Sequence, residues 1–497
     1  MSTAAVTVNT PRRTESVFGP AMLLMTGRTL AFAATFFIPV VLARVFDPAV
    51  FGTYKQLFLI YSTVFFIAQL GMATSLYYFL PLASRDAGRY VANSMLFLGA
   101  VGFVCCGGLL MAAPMLAQWL NNSELPAYLP WIGLYLFLTM LAASLEMVLI
   151  SRSRYGWASA AYALSDVARA AAFLLPVLLF HKLVWLLQGA VLVAALRAVV
   201  TLFYFRREFR GSFQPDRTLL KSQSAYALPF AAAVCVEIVQ GSIPQYAVAH
   251  QFDPATFAIY AVGCLQIPLV DFAASPTSDV MMVRMQERLA EGRKPAVVEI
   301  WHDATWKLAL LLFPLFTFVA VAAREMIVLL YTESYVASVP IFIVWSTMIL
   351  LAVLQVDGVM RVFAETRFLL ALNVMRLVIV AGLIQWSLSR FHLLGPVLAT
   401  VSAMLVFKVA ALVRMKRLLD IRVSELLPWR QLAILLGAAG VGAAAAEAVK
   451  LQSSLSTVPL LLAMAVAYTV TYAVLLWCFD LLKGIAYTDY VRNRRHR

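Results

Sequence analysis

The sequence predicts an all-α polytopic membrane protein, on the basis of its composition, its long apolar segments and its distribution of basic residues. Of the 497 residues, 62% are hydrophobic and 13% are charged, with a mean hydropathy of +0.84. Soluble proteins carry about 25% charged residues. A single globular core cannot bury this much apolar surface, so the composition predicts a chain that lies largely in lipid.

Fourteen segments are long enough to cross a membrane, which takes about 20 apolar residues as a helix. The predicted spans begin near Gly19, Tyr54, Gly88, Ala127, Gly156, Leu183, Ser222, Phe257, Ile300, Ala337, Phe368, Leu393, Gln431 and Thr457. Several spans contain proline, including Pro39, Pro229, Pro244, Pro268 and Pro276. These prolines predict kinks or local unwinding where neighbours or water satisfy the freed carbonyls.

Basic residues predict the orientation of the spans, because cytoplasmic loops are enriched in Lys and Arg. With the N-terminus inside, 27 of the 39 basic residues fall on the cytoplasmic side and six on the outer side. The six outer residues are Arg44, Lys55, Lys182, Arg324, Arg390 and Lys450. Both termini are therefore predicted to be cytoplasmic. The net charge of +14 is explained as a basic rim beside anionic lipid headgroups, not as a nucleic-acid surface.

The pair Arg12 and Arg13 is interpreted as a cytoplasmic anchor for the first span rather than as an export signal. The apolar run that follows is about 25 residues long, too long for a signal peptide, and it lacks a small-residue cleavage site.

A nine-residue motif predicts an internal repeat. The stretch "FDPAVFGTY" (46–54) recurs as "FDPATFAIY" (252–260), with six of nine positions identical. The two copies join spans one and two and spans seven and eight, so six spans separate them and both lie on the outer side. This spacing predicts two parallel six-helix repeats, an arrangement used by alternating-access transporters. In each copy, Asp caps a helix that begins with Pro.

A second echo supports the repeat, since "DVAR" (166–169) in span five resembles "NVMR" (373–376) in span eleven. The chain is thus predicted to have seven segments. They are a cytoplasmic tail (1–18), a six-helix lobe (19–205), a basic linker (206–221), a second six-helix lobe (222–415), a second linker (416–430), spans thirteen and fourteen (431–480) and a basic cytoplasmic tail (481–497).

Three stretches carry a family resemblance across the chain. "VFDPAVFGTY" resembles the "LGPxxFGxY" loop, "LLYTESYVASVPIFIV" (329–344) resembles "LFGxxYxxAxPxLxIL", and "RSRYGWASAAYALSDVAR" fits a short basic loop before span five. These motifs are similar to those of the Wzx-type oligosaccharide flippases of the multidrug/oligosaccharidyl-lipid/polysaccharide exporter superfamily. The sequence departs from the pattern at Phe46 and Asp47, which replace Leu-Gly, and at Thr332, where Gly is common.

The resemblance implies a flippase of the bacterial inner membrane that moves an undecaprenyl-diphosphate-linked oligosaccharide from the cytoplasmic to the outer leaflet. It implies membrane lipids and this lipid-linked glycan as partners, together with components of polysaccharide polymerisation and export. The glycan would belong to an envelope polysaccharide such as O-antigen, capsule or exopolysaccharide.

Ionisable residues inside the spans are the candidate site residues, since each costs about 2.5–3.5 kcal/mol to insert. The deepest are Arg28, Asp166, Arg169, Glu237, Asp271 and Arg376. Arginine binds phosphate through a planar fork of donors and keeps its proton. We therefore predict that Arg28, Arg169 and Arg376 hold the diphosphate, with Arg197 and Lys408 at the inner lip of the cavity. Gln240, Tyr246 and Gln266 are expected to contact sugars.

A purely structural network is the alternative. Asp166 and Arg169 are spaced to pair on one helix, as are Asp303 and Lys307, and the deep acids balance the deep cations. The acids also suit coupling to H⁺ or Na⁺, with Glu237, Asp271 and Asp166 as candidates. Coupling is not required, because an inside-negative potential favours outward movement of an anion by about 2.3 kcal/mol per charge and 100 mV.

Spans thirteen and fourteen are rich in Ala and Gly or smoothly apolar. Small residues permit close helix packing. Lateral packing is one interpretation, and a groove that guides a lipid tail, implied by related flippases with these extra helices, is the other.

Two rival functions remain for the chain. A multidrug or small-solute antiporter of the same superfamily, driven by H⁺ or Na⁺, would share the duplicated halves. An envelope enzyme would need a sizeable outer domain, whereas the outer loops reach only about 15 residues, so no enzymatic activity is predicted. The five cysteines and five histidines show no metal-ligand spacing, and no metal or cofactor is predicted apart from a coupling ion.

Overall fold

The computed structural model describes residues 35–82 and 85–479, and within them the secondary structure is helical. The α-helices are α1 (Thr35–Val45), α2 (Pro48–Ala68), α3 (Met72–Leu82), α4 (Ala87–Trp119), α5 (Leu125–Leu141), α6 (Leu145–Ser151), α7 (Tyr155–Phe180), α8 (Leu183–Glu208), α9 (Arg217–Gln251), α10 (Pro254–Gly263), α11 (Pro268–Ala290), α12 (Lys294–Val321), α13 (Ala323–Tyr331), α14 (Val339–Ala352), α15 (Val356–Val362), α16 (Thr366–Phe391), α17 (Gly395–Leu419), α18 (Val423–Leu426), α19 (Trp429–Gln452) and α20 (Thr457–Cys478). Two 3₁₀ turns lie at Glu333–Ser338 and His392–Leu394.

The helices agree with an integral membrane fold. Among the described residues, ten stretches are long and apolar enough to cross a membrane, or up to twelve if each of two bent pairs is one span. One of the ten, Thr366–Leu419, contains both α16 and α17. The start of the first predicted span lies outside the described residues. The total of fourteen spans and the cytoplasmic location of both termini stay predictions.

The positions of the helix breaks support the predicted parallel repeat. Predicted spans two and four are each divided into two helices, at residues 69–71 and 142–144. Predicted spans eight and ten are divided in the same way, at residues 264–267 and 353–355. The second and fourth members of both repeats are thus the broken ones, as expected if one six-helix unit was duplicated.

The nonapeptide motif starts a helix in both of its copies. In the first copy, the Asp47 carboxylate accepts hydrogen bonds from the backbone N–H groups of Ala49 and Val50, both at 2.9 Å. Pro48 occupies the first helical position, where its missing N–H is not needed. In the second copy, Asp253 precedes Pro254 with extended backbone angles but its side chain makes no capping hydrogen bond.

The described residues fall into two compact units that are interleaved along the sequence. The first unit comprises residues up to Pro39, Ala68–Gly107 and Gly133–Pro229. Its core is formed by buried apolar side chains of α3, α4, α6 and α8, including Leu76, Val91, Val148 and Phe205, which are all fully buried. The buried amide of Gln223 donates to the hydroxyls of Ser75 at 2.9 Å and Ser94 at 2.7 Å, which fixes the start of α9 in this unit.

The second unit comprises Val40–Ile67, Gly108–Ile132 and the residues from Phe230 onward. One of its cores lies among α11, α12, α15, α16 and α17 around the fully buried Trp301, whose indole N–H donates to the carbonyl of Leu426 at 2.8 Å. Of these helices, α11, α15, α16 and α17 contribute side chains to the walls of the cavities described below.

Helices α19 and α20 pack on α12 in the second unit. Alanines of α19 form one face of a core to which α12 contributes Leu312 and α20 contributes Met464 and Tyr468. The Tyr468 hydroxyl lies 2.7 Å from the Thr317 hydroxyl, and Gly442 lies so close to the Tyr468 ring that an added Cβ would stand 3.2 Å from it. The small residues of these two spans therefore serve close packing, as the first of the two interpretations expects.

The backbone geometry at Thr332 explains why glycine is common at this position in the family pattern. Thr332 follows α13 with φ of 85° and ψ of 168°, a region that glycine occupies far more easily than a β-branched residue. The glycine common at this position would relieve that strain.

Candidate substrate cavity

A cavity in the second unit has a volume of about 700 Å³. Its walls come from α9, the α10–α11 junction, α14, α16 and α17, with one side chain from α2. Three cationic and two acidic side chains line it: Lys55, Arg376, Lys408, Asp271 and Asp357. Polar side chains Gln240, Gln245, Gln266 and Gln355 and the aromatic rings of Tyr260 and Trp345 complete much of the lining. A cavity of this kind offers charge, amides and ring faces to a ligand.

The span formed by α10 and α11 is interrupted next to this cavity. The two helices are bent by 47° at a break, and all four residues of the break, 264–267, line the cavity. Unwound backbone at membrane depth is tolerated where it lines a water-filled space, because its polar groups need partners. Pro268 begins α11 and Asp271 lies in its first turn, so the predicted unwinding at Pro268 is confirmed.

Arg376 on α16 is shared by the larger cavity and a smaller one of about 360 Å³. Its Nε donates to the side-chain oxygen of Gln240 at 2.9 Å, where the donors around the amide assign the oxygen. Gln240 is only 2% exposed, so this contact orients the guanidinium. Within residues 35–82 and 85–479, no carboxylate forms an ion pair with Arg376. Its Nη1 also donates weakly to the sulfur of Met404 at 4.0 Å, and its other donors are available to an anionic ligand.

Lys408 on α17 is paired instead of free. Its ammonium donates to the carbonyl of Leu354 at 2.9 Å and to the carboxylate of Asp357 at 3.3 Å. Leu354 lies in the break between α14 and α15, so Lys408 satisfies a carbonyl that the broken helix leaves without an internal partner. The side chain is 8% exposed, whereas that of Asp357 is 39% exposed. Lys408 lines the cavity, but much of its charge is used to stabilise the break.

The smaller cavity has an acidic lining. Glu237, Asp279 and Asp357 line it together with the cations Arg361 and Arg376 and the amide of Asn373. The structure therefore brings two of the coupling candidates to neighbouring positions, Glu237 in the smaller cavity and Asp271 in the larger one. The two cavities share Ser275, Gln355, Asp357, Arg376 and Met404.

The remaining described site candidates lie in the first unit and are ion-paired. Arg169 lies 2.6 Å from the carboxylate of Asp166, the pair that the i, i+3 spacing predicts, and also donates to the hydroxyl of Thr35 at 3.1 Å. Arg197 lies 2.6 Å from the carboxylate of Glu146, which is nearly fully buried. These contacts favour the structural alternative for Asp166, Arg169 and Arg197. Arg28 lies outside the described residues, so its role stays a prediction.

An ion pair is repeated in the two halves of the chain. Glu146 on α6 pairs with Arg197 on α8, and Asp357 on α15 pairs with Lys408 on α17. Both partners of the second pair follow those of the first by 211 residues. Helix α16 (Thr366–Phe391) likewise follows α7 (Tyr155–Phe180) by 211 residues at both ends. The repeated ion pair therefore marks the structural register of the duplication.

This register corrects the second sequence echo. The motifs "DVAR" and "NVMR" are 207 residues apart, four fewer than the helices that contain them. Four residues are about one helical turn, so the two motifs share a face of the helix but differ in depth. Arg169 and Arg376 are consequently not structural equivalents, which agrees with the pairing of the first and the open donors of the second.

Two cavity residues were missed by the sequence argument. Lys55 was counted with the outer loops, but α2 begins at Pro48 and places it in the larger cavity. Asp357 is given no role by the sequence prediction. The signal for Asp357 was present in the spacing of 51 residues that it shares with the Glu146–Arg197 pair. Of the expected sugar contacts, Gln240 and Gln266 line the larger cavity, while the Tyr246 ring packs on Trp119 with centroids 5.7 Å apart.

The sequence matches a family model described as "Polysaccharide biosynthesis protein" over residues 41–340, which is more than half of the chain. The chain belongs to this polysaccharide biosynthesis protein family. The match runs from the end of the first span to the beginning of span ten and includes both copies of the nonapeptide motif. A search of curated proteins finds no match.

Solved structures show that this family member has the fold of the multidrug/oligosaccharidyl-lipid/polysaccharide exporter (MOP) superfamily, as the sequence resemblance predicted. The lipid II flippase MurJ, in an inward closed conformation, matches with a TM-score of 0.70 at 11% identity, covering 94% of this chain and 100% of that chain. An inward-facing MATE multidrug resistance transporter matches with a TM-score of 0.57 at 14% identity, over 81% and 99% of the two chains. A MOP superfamily transporter from Pyrococcus furiosus matches with a TM-score of 0.53 at 14% identity, over 81% and 94%. The protein is therefore a multi-pass membrane protein of transporter fold.

Proposed function

We propose that this protein is a flippase that moves an undecaprenyl-diphosphate-linked oligosaccharide from the cytoplasmic to the outer leaflet by alternating access. The observation that carries the proposal is Arg376, whose guanidinium is oriented by Gln240 and has no carboxylate partner in the described chain. An oriented guanidinium in a polar cavity binds a diphosphate through two parallel hydrogen bonds.

The size and lining of the larger cavity support a glycan headgroup. Its volume of about 700 Å³ lies in the range of sites for ligands of this size. Glutamine amides suit sugar hydroxyls, and the faces of Trp345 and Tyr260 suit sugar rings. Membership of the polysaccharide biosynthesis protein family and the higher coverage by the lipid II flippase support a lipid-linked glycan further.

The location and partners follow from the same proposal. The protein would act in the bacterial inner membrane with both termini in the cytoplasm, without enzymatic activity of its own. It would receive its substrate from the cytoplasmic leaflet and deliver it to components of polysaccharide polymerisation and export on the outer side.

An antiporter driven by H⁺ or Na⁺ is the second candidate function. The observation that favours it is the acidic lining of the smaller cavity, to which Glu237, Asp279 and Asp357 contribute. A carboxylate in a low-dielectric cavity can exchange a proton or a cation as its surroundings change. The likeness to a MATE transporter supports the same candidate.

Transport by the reconstituted protein distinguishes the two functions. Proteoliposomes are loaded with a fluorescent undecaprenyl-diphosphate oligosaccharide in one arm and with a cationic dye under a H⁺ or Na⁺ gradient in the other. The flippase proposal predicts that the glycan reaches the opposite leaflet without an imposed gradient, while the dye is not moved. Gradient-driven dye transport with no movement of the glycan would replace the flippase by the antiporter.

A further inference from the structure

The end of α1 and the start of α2 are packed against segments of the second repeat. The Arg44 guanidinium donates to the carbonyl of Leu330 at 3.3 Å and to that of Leu329, at the end of α13. The ring of Phe51 meets that of Tyr335 edge-on with centroids 5.8 Å apart, and both residues are fully buried. Within the second unit, these contacts join the ends of the two repeats that the charge distribution predicts to be outer.

The two copies of the nonapeptide motif touch each other at this junction. A Cβ added to Gly52 would stand 1.8 Å from the backbone carbonyl oxygen of Pro254, far closer than any side chain tolerates. The equivalent position in the second copy is Ala258. The first copy therefore needs glycine because the backbone of the second copy passes over it. The duplicated loop forms a close contact between the repeats as well as starting a helix.

Lys55 lies one turn beyond these contacts and reaches the larger cavity. Among the described residues that line this cavity, Lys55 alone comes from the first repeat, while the others lie between Gln240 and Lys408. Its ammonium lies 5.4 Å from the centre of the Phe51 ring, and no carboxylate in the described chain pairs with it. A cation without an acidic partner is thus held at the cavity by the helix that makes the junction.

We propose that Lys55 is a state-dependent part of the anion site, present in the cavity only while the two nonapeptide loops are in contact. Alternating access in duplicated transporters is largely a movement of one repeat against the other. Separating the ends of the repeats at Gly52 and Pro254 would carry Lys55 away with α2, while Arg376 stays with the second repeat. The site would then hold one unpaired cation instead of two.

The consequence is a release mechanism for an anionic ligand. A diphosphate would be held by Lys55 and Arg376 when the outer end is closed and by Arg376 alone when it opens. Losing one charge-assisted contact weakens binding by about tenfold or more. The direction of transport and the identity of the ligand rest on the proposed function. The coupling between the junction and the cavity rests on the contacts of Gly52, Phe51 and Lys55.

Equilibrium binding to the purified full-length protein tests the coupling. The probes are inorganic pyrophosphate and farnesyl diphosphate, and the variants are Lys55→Gln, Gly52→Ala and the two combined. Lys55→Gln is expected to raise the Kd about tenfold, and Gly52→Ala, which forces the loops apart, to raise it by a similar factor. The Kd of the combined variant is expected to equal that of either single variant, because Gly52→Ala has already moved residue 55 out of the site. Lys294→Gln, an exposed lysine at the start of α12, is the matched control and should leave the Kd unchanged.

Four results would overturn the inference or its basis, and they are distinguishable. If the two substitutions multiply in the combined variant, Lys55 acts independently of the junction and the inference is wrong. If Lys55→Gln has no effect while Arg376→Gln weakens binding, Lys55 is outside the site and the proposed function stands. If the wild type binds neither probe and does not move the glycan, the proposed function fails as well. A tighter Kd for pyrophosphate than for farnesyl diphosphate would contradict the lipid-linked part of the ligand.

A covalent lock gives a second test if Gly52→Ala does not fold. The hydroxyls of Thr63 on α2 and Ser242 on α9 lie 3.2 Å apart, a second contact between the repeats about three helical turns beyond Gly52. In a background without the five native cysteines, Thr63→Cys and Ser242→Cys can be cross-linked to hold α2 against the second repeat. The lock is expected to lower the Kd of the wild-type site and to enlarge the effect of Lys55→Gln. If Lys55→Gln changed the Kd by the same factor with and without the cross-link, the inference would be contradicted.

Discussion

Arg376 is distinguished from the other described intramembrane cations of the site by what it contacts. Arg169, Arg197 and Lys408 each have a carboxylate within 3.3 Å, whereas Arg376 is held by the neutral amide of Gln240. A neutral acceptor orients the guanidinium without cancelling its charge. The residue therefore keeps both the direction and the charge that binding of a phosphate requires.

Replacing Gln240 tests whether orientation matters in addition to charge. Gln240→Leu keeps the volume and the charge of the site but removes the acceptor of the Arg376 Nε, a bond to a charged group of about 1.5–3 kcal/mol. We expect glycan transport to fall at least about tenfold while the thermal melting temperature changes little. Gln452→Leu, an exposed glutamine at the end of α19 that lines neither of the two cavities, is the control and should retain transport. Equal losses in the two variants would mean that the orientation of Arg376 is unimportant.

At the scale of elements, the repeated ion pair holds the broken spans in place. In both repeats, an acid in the first turn after the break pairs with a cation 51 residues later on the sixth span. The two copies differ in exposure, because Glu146 is 3% exposed and Asp357 is part of a cavity wall. The first pair is thus placed for stability, and the second stands where a ligand or an ion can compete with it.

This difference predicts unequal costs of removing the acid. Glu146→Ala leaves the Arg197 charge without its buried partner and should lower the free energy of unfolding by about 3–5 kcal/mol. Asp357→Ala should cost about 1 kcal/mol, because water screens that pair and Lys408 keeps the Leu354 carbonyl. Denaturant titration of the purified variants measures both, with the exposed Glu299→Ala as a control near zero. Equal costs for Glu146 and Asp357 would contradict the division of roles.

At the scale of the whole molecule, much of the fold could be predicted because membrane helices are encoded by local hydropathy. The repeat was visible in the nonapeptide, since both of its copies must start a helix and touch each other. The exact residue alignment of the two repeats was not visible, because the "DVAR" and "NVMR" motifs are offset by one helical turn when the helices that contain them are aligned. The site was predictable only in part. Hydropathy places a charge within a span, but it does not say whether a neighbouring helix supplies a partner of opposite charge. Lys408 has such a partner in Asp357, whereas none of the described carboxylates pairs with Arg376.

The orientation of the molecule is the prediction that rests most on charge counting. Single cysteines at Lys182 or Arg390 are expected to react with a membrane-impermeant maleimide from outside intact cells, because these exposed residues are predicted to be outer. Cysteines at Arg210 or Arg422, which are also exposed, should react only after the membrane is opened. The measurement uses a background without native cysteines and compares labelling before and after permeabilisation. The reverse pattern would invert the topology and the direction of transport.

The most direct test of the central claim is glycan translocation by Arg376→Ala in proteoliposomes, measured beside the wild type and the exposed control Lys294→Ala. The leaflet of a labelled undecaprenyl-diphosphate oligosaccharide is followed by quenching from outside, and folding is checked by thermal melting. We expect transport to fall by about a hundredfold in the folded Arg376→Ala protein and to stay unchanged in Lys294→Ala, since a bidentate contact to phosphate is lost. Translocation at the wild-type rate by folded Arg376→Ala would contradict the claim that the diphosphate is carried in this cavity.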